Sequence, residues 1–207
     1  MTHTRRARHA PRRLRATLAL IAVGVAAVML GNRLAGSSPG APLHASHGAR
    51  AGGAGPLGEA GGAVPRGTTV FDGAVPGVAR LNPPLLASLR RAAAQAAAGG
   101  VTLEVHSGWR SPAYQERLLR EAVRKYGSVA AASRWVATPA TSAHVSGDAV
   151  DIGPPGAATW LAVHGAAYGL CPVYGNEPWH FELRGDAVTH GCPETYADPT
   201  RDPRMRR

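Results

Sequence analysis

The chain has 207 residues, the size of one ordinary domain once flexible ends are set aside, and a formal net charge of +10. The excess is concentrated: residues 1–65 hold eight arginines against the single acid Glu59, while the rest holds fifteen basic and twelve acidic residues. No basic stripe with interleaved aromatics occurs in that remainder, which argues against nucleic acid as a partner and ties the charge to targeting.

Arg5 to Arg15 is a strongly basic start, and Ala16 to Gly31 is an apolar run. Residues 1–36 therefore read as a secretory signal peptide or a signal anchor. The run is short against the roughly 20 residues of a full membrane span, and Leu34 to Ser37 offers only a loose cleavage site, so both outcomes stay open. A basic flank ahead of the run keeps the N-terminus cytoplasmic and places the rest outside, secreted or anchored to the cytoplasmic membrane. Residues 37–67 are rich in Gly, Ala and Pro and cannot bury a core, so they read as a linker. His44 and His47 within it have no partner ligands and read as solvated.

The folded domain is expected over 68–207, beginning near Thr68. Asn82-Pro83-Pro84 is a helix start, with Asn as cap and Pro in the first turn, and the helix runs to about Ala98 before Gly99-Gly100. Val101 to Ser107 alternates and is β-branched, which predicts a strand. A turn over 108–112 leads into a helix from Ala113 to about Tyr126, with Tyr114, Leu118, Leu119 and Val123 on one face. A shorter helix follows near Val129 to Trp135. Pro154-Pro155 starts another helix, which runs through Tyr168 and ends at Gly169. Val173-Tyr174 and Trp179 to Leu183 read as an antiparallel hairpin. The tail from Gly191 to Arg207 reads as surface coil. Cys171 and Cys192 are an even pair in an exported chain, which predicts a disulfide. They lack the Cys-x-x-Cys spacing of a zinc site.

The chemistry lies in two segments, Ser142-Ala-His144-Val-Ser-Gly147-Asp-Ala-Val-Asp151 and Glu177-Pro-Trp-His180. Two histidines and an aspartate are a full set of protein ligands for a catalytic zinc, which keeps its fourth position for water. Glu177, three residues before His180, is a candidate to take a proton from that water. His144 and Asp151 differ in parity, so a turn or bulge at Ser146-Gly147 is needed for both to face one point. Asp148 is the rival ligand.

The pattern Ser-x-His-x-x-Gly-x-Ala-x-Asp followed by Glu-x-x-His resembles the VanY/VanX-type zinc D-alanyl-D-alanine carboxypeptidases and dipeptidases of the Hedgehog/DD-peptidase fold, over about Leu103 to Leu183. The resemblance implies an α+β fold with a small antiparallel sheet flanked by helices. It also implies Zn2+ held by His144, Asp151 and His180, with Glu177 as catalytic base. The stretch Ser107-Gly-Trp-Arg110-Ser111 is similar to the family's Tyr/Trp-Arg-Ser segment, whose arginine meets negative charge on the substrate; a guanidinium fork suits that task. Tyr114 and Gln115 match positions near the substrate backbone. Ser142 either holds the substrate's terminal carboxylate or caps a turn.

Two departures stand out. His164 and Gly165 occupy positions where the family has Asn-Ala, and His164 reads as a packing variant. The connection from Gly169 to Glu177 is short, which bears on substrate preference. His106 and His190 have no motif context and read as structural. The function implied is an exported carboxypeptidase acting on peptidoglycan stem peptides. Its alternatives are an L,D-carboxypeptidase, an endopeptidase of the same fold, or a zinc-bearing wall-binding module. The last has no use for Glu177 and Arg110. Oligomeric state is not legible.

Overall fold

The structure is a computed structural model that describes Gly55 and residues 57–206. The basic start, the apolar run and most of the expected linker lie outside the described residues. Among the described residues no helix is long and apolar enough to cross a membrane.

In chain order the helices are α1 (Pro76–Ala79), α2 (Pro83–Ala98), α3 (Pro112–Tyr126), α4 (Val129–Ala132), α5 (Ala143–Ser146), α6 (Pro155–His164) and α7 (Ala187–His190). The strands are β1 (Glu104–Ser107), β2 (Ala149–Gly153), β3 (Leu170–Pro172) and β4 (His180–Leu183). They form one antiparallel sheet in the order β1-β2-β4-β3, so the expected α+β class with a small helix-flanked sheet holds.

The register builds the site. Ala149 pairs with Glu182, Val150 with Phe181 and Asp151 with His180. Alternation then sends Val150, Ile152 and Phe181 to one face, and Asp151, His180 and Glu182 to the other. The first face is covered by Leu85, Leu89, Ala92 and Ala96 of α2, one helical stripe, with Leu161 and Leu170 closing the core. β2 is buried along its whole length. A carboxylate in such a strand is costly unless it is paired, which marks Asp151 as a residue kept for chemistry.

Several elements differ from expectation, each for a local reason. The first strand begins at Glu104, and its register slips between Val105 and Ser107, with His106 in the bulge. The Asn82 side chain does not cap α2; its amide donates to the Asp148 carboxylate. On α3 the fully buried positions are Gln115 and Ala122, while Tyr114, Leu118, Leu119 and Val123 are half-buried. The short helix after it closes at Ala132, where Ser133 bonds back to the Val129 carbonyl and Trp135 turns to stack on Tyr126. After α6 the chain tightens into a 3₁₀ turn at Gly165–Tyr168, ending at Gly169 with φ +75. The hairpin forms one step earlier than expected, with Pro172 opposite Phe181, while Tyr174 pairs with Tyr196 of the tail.

Both ends of the domain are more structured than composition implied. The ordered chain starts ahead of Thr68: Glu59–Gly61 is a 3₁₀ turn, and the Gly61 carbonyl accepts the Ser111 N–H at 2.8 Å. The tail is not loose surface coil. It forms 3₁₀ turns at Pro199–Arg201 and Pro203–Arg206 and buries Asp198 and Asp202. Cys171 and Cys192 are joined as expected, with Cα atoms 5.5 Å apart, which ties the tail to β3.

Candidate metal centre

His144 reaches the site from α5, a single helical turn where the sequence pattern asked only for a turn or bulge. Gly147 ends that turn at φ +80, and a Cβ there would lie 2.6 Å from the Arg80 carbonyl oxygen, so glycine is required twice over. The turn reverses parity, and His144 then faces the same point as Asp151 and its cross-strand partner His180. One ligand atom from each of the three residues lies within 4.8 Å of the others, and all three residues are buried. His144 Nε2 is 3.4 Å and His180 Nδ1 3.2 Å from the same Asp151 Oδ1.

The outward side of each imidazole is occupied. His144 Nδ1 lies 2.8 Å from the Gly108 carbonyl oxygen, which can only accept, so that nitrogen carries the proton. His180 Nε2 faces Glu182 Oε1 at 3.4 Å. Acceptors of this kind behind a histidine fix its tautomer, so that the inward nitrogen is the one a metal would take in exchange for its proton. Two imidazole nitrogens and one carboxylate oxygen are a donor set that fits zinc with a position left open.

Burial alone would raise the Asp151 carboxyl, but the charge and hydrogen bond of His144, the hydrogen bond of His180 and the charge of Arg110 hold it well below the usual carboxylate range. Burial lowers His144, and the Arg110 charge adds to that. Burial would also lower His180, yet hydrogen bonds to Asp151 and Glu182 and the nearby Asp151 and Glu177 charges raise it to about 9. The pocket is thus acidic at its centre and favours a cation there. Asp148 is turned away from this point, exposed and bonded to Asn82, which removes the rival ligand.

Glu177 borders the same cleft, a space of about 300 Å³ that also meets Arg110, Ser142, Trp179, Pro199 and Met205. Its Oε2 is 3.9 Å from His180 Nδ1, and its Oε1 is buried with no hydrogen-bond partner among the described residues. Burial pushes the carboxyl up to about 7, where a group exchanges protons most readily at neutral pH.

Arg110 lies in the cleft but is more constrained than a free substrate clamp. It donates to Ser107 Oγ at 2.8 Å, Gln115 Oε1 at 3.1 Å and Asp151 Oδ2 at 3.0 Å. The bulge at His106 places Ser107 beside Asp151 and makes this arrangement possible. Gln115, expected near the substrate, is 1% exposed; its amide accepts from Arg110 and donates to the Ala137 carbonyl, so it braces the arginine. Tyr114 does not line the cleft. It lies under the Arg117 guanidinium, 4.7 Å from the ring centroid, on another side of α3. Ser142 is buried at the cleft, and its side chain makes no cap to α5. His164 lies tilted against Trp160 at the surface, His106 is exposed near Glu104, and His190 is exposed, all away from the centre. Sequence reasoning missed Gly108, Ser107, Glu182 and the tail residues Pro199 and Met205; of these only Ser107 and Gly108 lay within a quoted motif.

The buried His-Asp-His centre with a raised carboxylate beside it is that of a metallopeptidase. The chain belongs to the VanY family of D-alanyl-D-alanine carboxypeptidases, which it matches over residues 79–186. Among solved structures it is similar to a mutant of the vancomycin-resistance D,D-pentapeptidase VanY from a VanB-type resistance cassette, in complex with Zn(II). That pair has 30% identity over 51% of this chain and 73% of that one, with a TM-score of 0.48. It is also similar to VanYB in complex with D-alanine-D-alanine (27% identity, 54% of this chain and 74% of that one, TM-score 0.49). A third is the L,D-carboxypeptidase DacB from Streptococcus pneumonia (30% identity, 54% and 71%, TM-score 0.45). No curated protein sequence matches the chain. The family match, not these likenesses, carries the assignment.

Proposed function

We propose that the chain is a zinc-dependent D,D-carboxypeptidase that removes the terminal D-alanine from peptidoglycan stem peptides outside the cytoplasm. The observation that carries this reading is the pair of occupied outward nitrogens, Nδ1 of His144 on Gly108 and Nε2 of His180 on Glu182, with Asp151 between the rings. A purely structural cluster has no need for two imidazoles anchored from behind to converge on one carboxylate oxygen beside a raised carboxylate.

When bound by His144, Asp151 and His180, zinc supplies Lewis acidity, making hydroxide available near neutral pH and polarising the scissile carbonyl. Glu177 takes the proton of the attacking water and returns it to the leaving D-alanine amine; what supports this role is its carboxylate, 3.9 Å from His180 Nδ1 at the edge of the candidate metal site. Arg110, three of whose five N–H donors are held by Ser107, Gln115 and Asp151, presents a pre-oriented positive charge to the carbonyl oxygen as charge develops there. We assign the terminal carboxylate to Ser142, which lines the cleft and makes no side-chain cap to α5. The test is product analysis of residues 55–207 on defined tri-, tetra- and pentapeptide stems. Release of D-alanine from the pentapeptide alone supports the D,D reading. Cleavage of the tetrapeptide to a tripeptide moves the chain to L,D specificity.

A further inference from the structure

The C-terminal tail, outside the segment matched by the family, closes a ring of contacts around the imidazole of His180. Tyr174 lies against that imidazole, with centroids 5.1 Å apart, and its hydroxyl donates to Asp202 Oδ2 at 3.1 Å. Asp202 is fully buried and accepts from Arg204 through both carboxylate oxygens. Arg204 in turn donates to Glu182 Oε2 at 2.6 Å and Oε1 at 3.2 Å, a two-pronged hold on the carboxylate that faces His180 Nε2. Glu182 is 2% exposed, and Arg184 adds a second cation at 2.9 Å.

We propose that Arg204 is a positioning residue for the metal centre: by clamping Glu182 it holds the His180 imidazole with Nε2–H outward, so that Nδ1, which faces Asp151, is the nitrogen left for zinc. This deepens the zinc reading above and rests on it. The physical reason is geometric. A buried carboxylate with a single monodentate cation can rotate, whereas a forked pair defines its plane. Arg184 brings one nitrogen, Nη2, to 2.9 Å from Glu182 Oε2. Arg204 adds the fork, and its own orientation is set by the buried Asp202. Groups standing behind a metal-binding histidine typically govern about 10–100-fold in metal affinity.

The experiment compares Arg204→Ala, Arg204→Lys and a tail control, Arg201→Ala, in the full chain with its disulfide intact. Arg201 is exposed and outside the ring. Zinc affinity is read by chelator competition, and the ring N–H protons of the zinc-loaded protein are followed by NMR. Arg204→Ala is expected to weaken zinc about 10–100-fold and to expose the His180 Nε2–H to solvent exchange. The His144 Nδ1–H, bonded to Gly108, should stay protected. Arg204→Lys should recover part of the affinity, and Arg201→Ala should match wild type. Unchanged affinity and an unchanged His180 signal in Arg204→Ala overturn the clamp while leaving the zinc site intact. Simultaneous loss of both histidine signals also overturns it, since that is general loosening. A wild-type protein that binds no zinc, or a His180→Ala variant that binds it fully, overturns the clamp together with the site. Should Arg204→Ala fail to fold, wild-type affinity in Arg204→Lys with an undisturbed His180 signal would still exclude a role for the fork.

Discussion

His144 donates its Nδ1–H to the carbonyl oxygen of Gly108, 2.8 Å away, so the strand-to-helix turn after β1 sets the tautomer of a proposed metal ligand that arrives thirty-six residues later. Gly108 is also a point of close approach, where a Cβ would lie 2.1 Å from the Gly77 carbonyl oxygen. Gly108→Ala is therefore expected to displace the turn, cost about 1–3 kcal/mol of stability as overpacking does, and weaken zinc binding. Thermal melts with and without zinc check this: the stabilisation conferred by zinc should shrink, not only the baseline Tm.

Arg110, the proposed substrate contact, is bonded directly to Asp151 of the candidate metal site. Arg110→Lys keeps a positive charge near Asp151 but loses the fork that meets Ser107, Gln115 and Asp151 together. Zinc should remain at about one per chain. Turnover of a pentapeptide stem should fall by about 10²–10³, the usual effect of losing one donor at a developing oxyanion. Metal analysis beside steady-state kinetics separates the two effects.

The acid limit of stability provides a test of the tail. Burial would raise the Asp202 carboxyl, but hydrogen bonds and charge from Arg204 and the Tyr174 hydroxyl hold it below its usual value of 3.8. A depressed folded-state pKa contributes stability that is present above the unfolded value and is lost as pH falls below it. The melting temperature of metal-free wild type should thus fall on acidification below about pH 4. Asp202→Asn should start lower at pH 7 and show a shallower fall in that window. A parallel decline in both proteins would contradict the pairing.

Reduction offers a simpler check. The Cys171–Cys192 bond closes a loop with a separation of 21 residues, for which about 2–4 kcal/mol of stabilisation is typical. Replacing both cysteines by serine should lower the denaturant midpoint by a corresponding amount. The protein should still fold, because the core of α2 against the sheet does not depend on the bridge.

Much of this site is legible in short-range pattern. The ligands, Glu177 and Arg110 stand in compact motifs, and α2 and α3 are bounded by Pro and Gly at their ends. Pairing across distance is what a local reading cannot supply. Gln115 reads as a substrate contact until the fold buries it against Arg110. Arg204 and Asp202 sit in a tail whose composition matches solvated coil, and only the return of that tail to β4 turns them into a buried charge network. Likewise the Gly-rich stretch near Gly61 reads as linker, because a backbone carbonyl accepting from Ser111 leaves no side-chain signal. The helical turn at His144 is hidden for a different reason: four residues are too few to show a period.

The central claim is that Glu177 relays the proton at a zinc centre built from His144, Asp151 and His180. Its most direct test is zinc content measured beside D-alanine release from a pentapeptide stem for Glu177→Gln, which keeps the size of the side chain but cannot accept the proton. About one zinc per chain should be retained, with turnover reduced by roughly 10²–10⁴, the range for lost general acid–base catalysis. Full zinc occupancy with wild-type turnover would contradict the account.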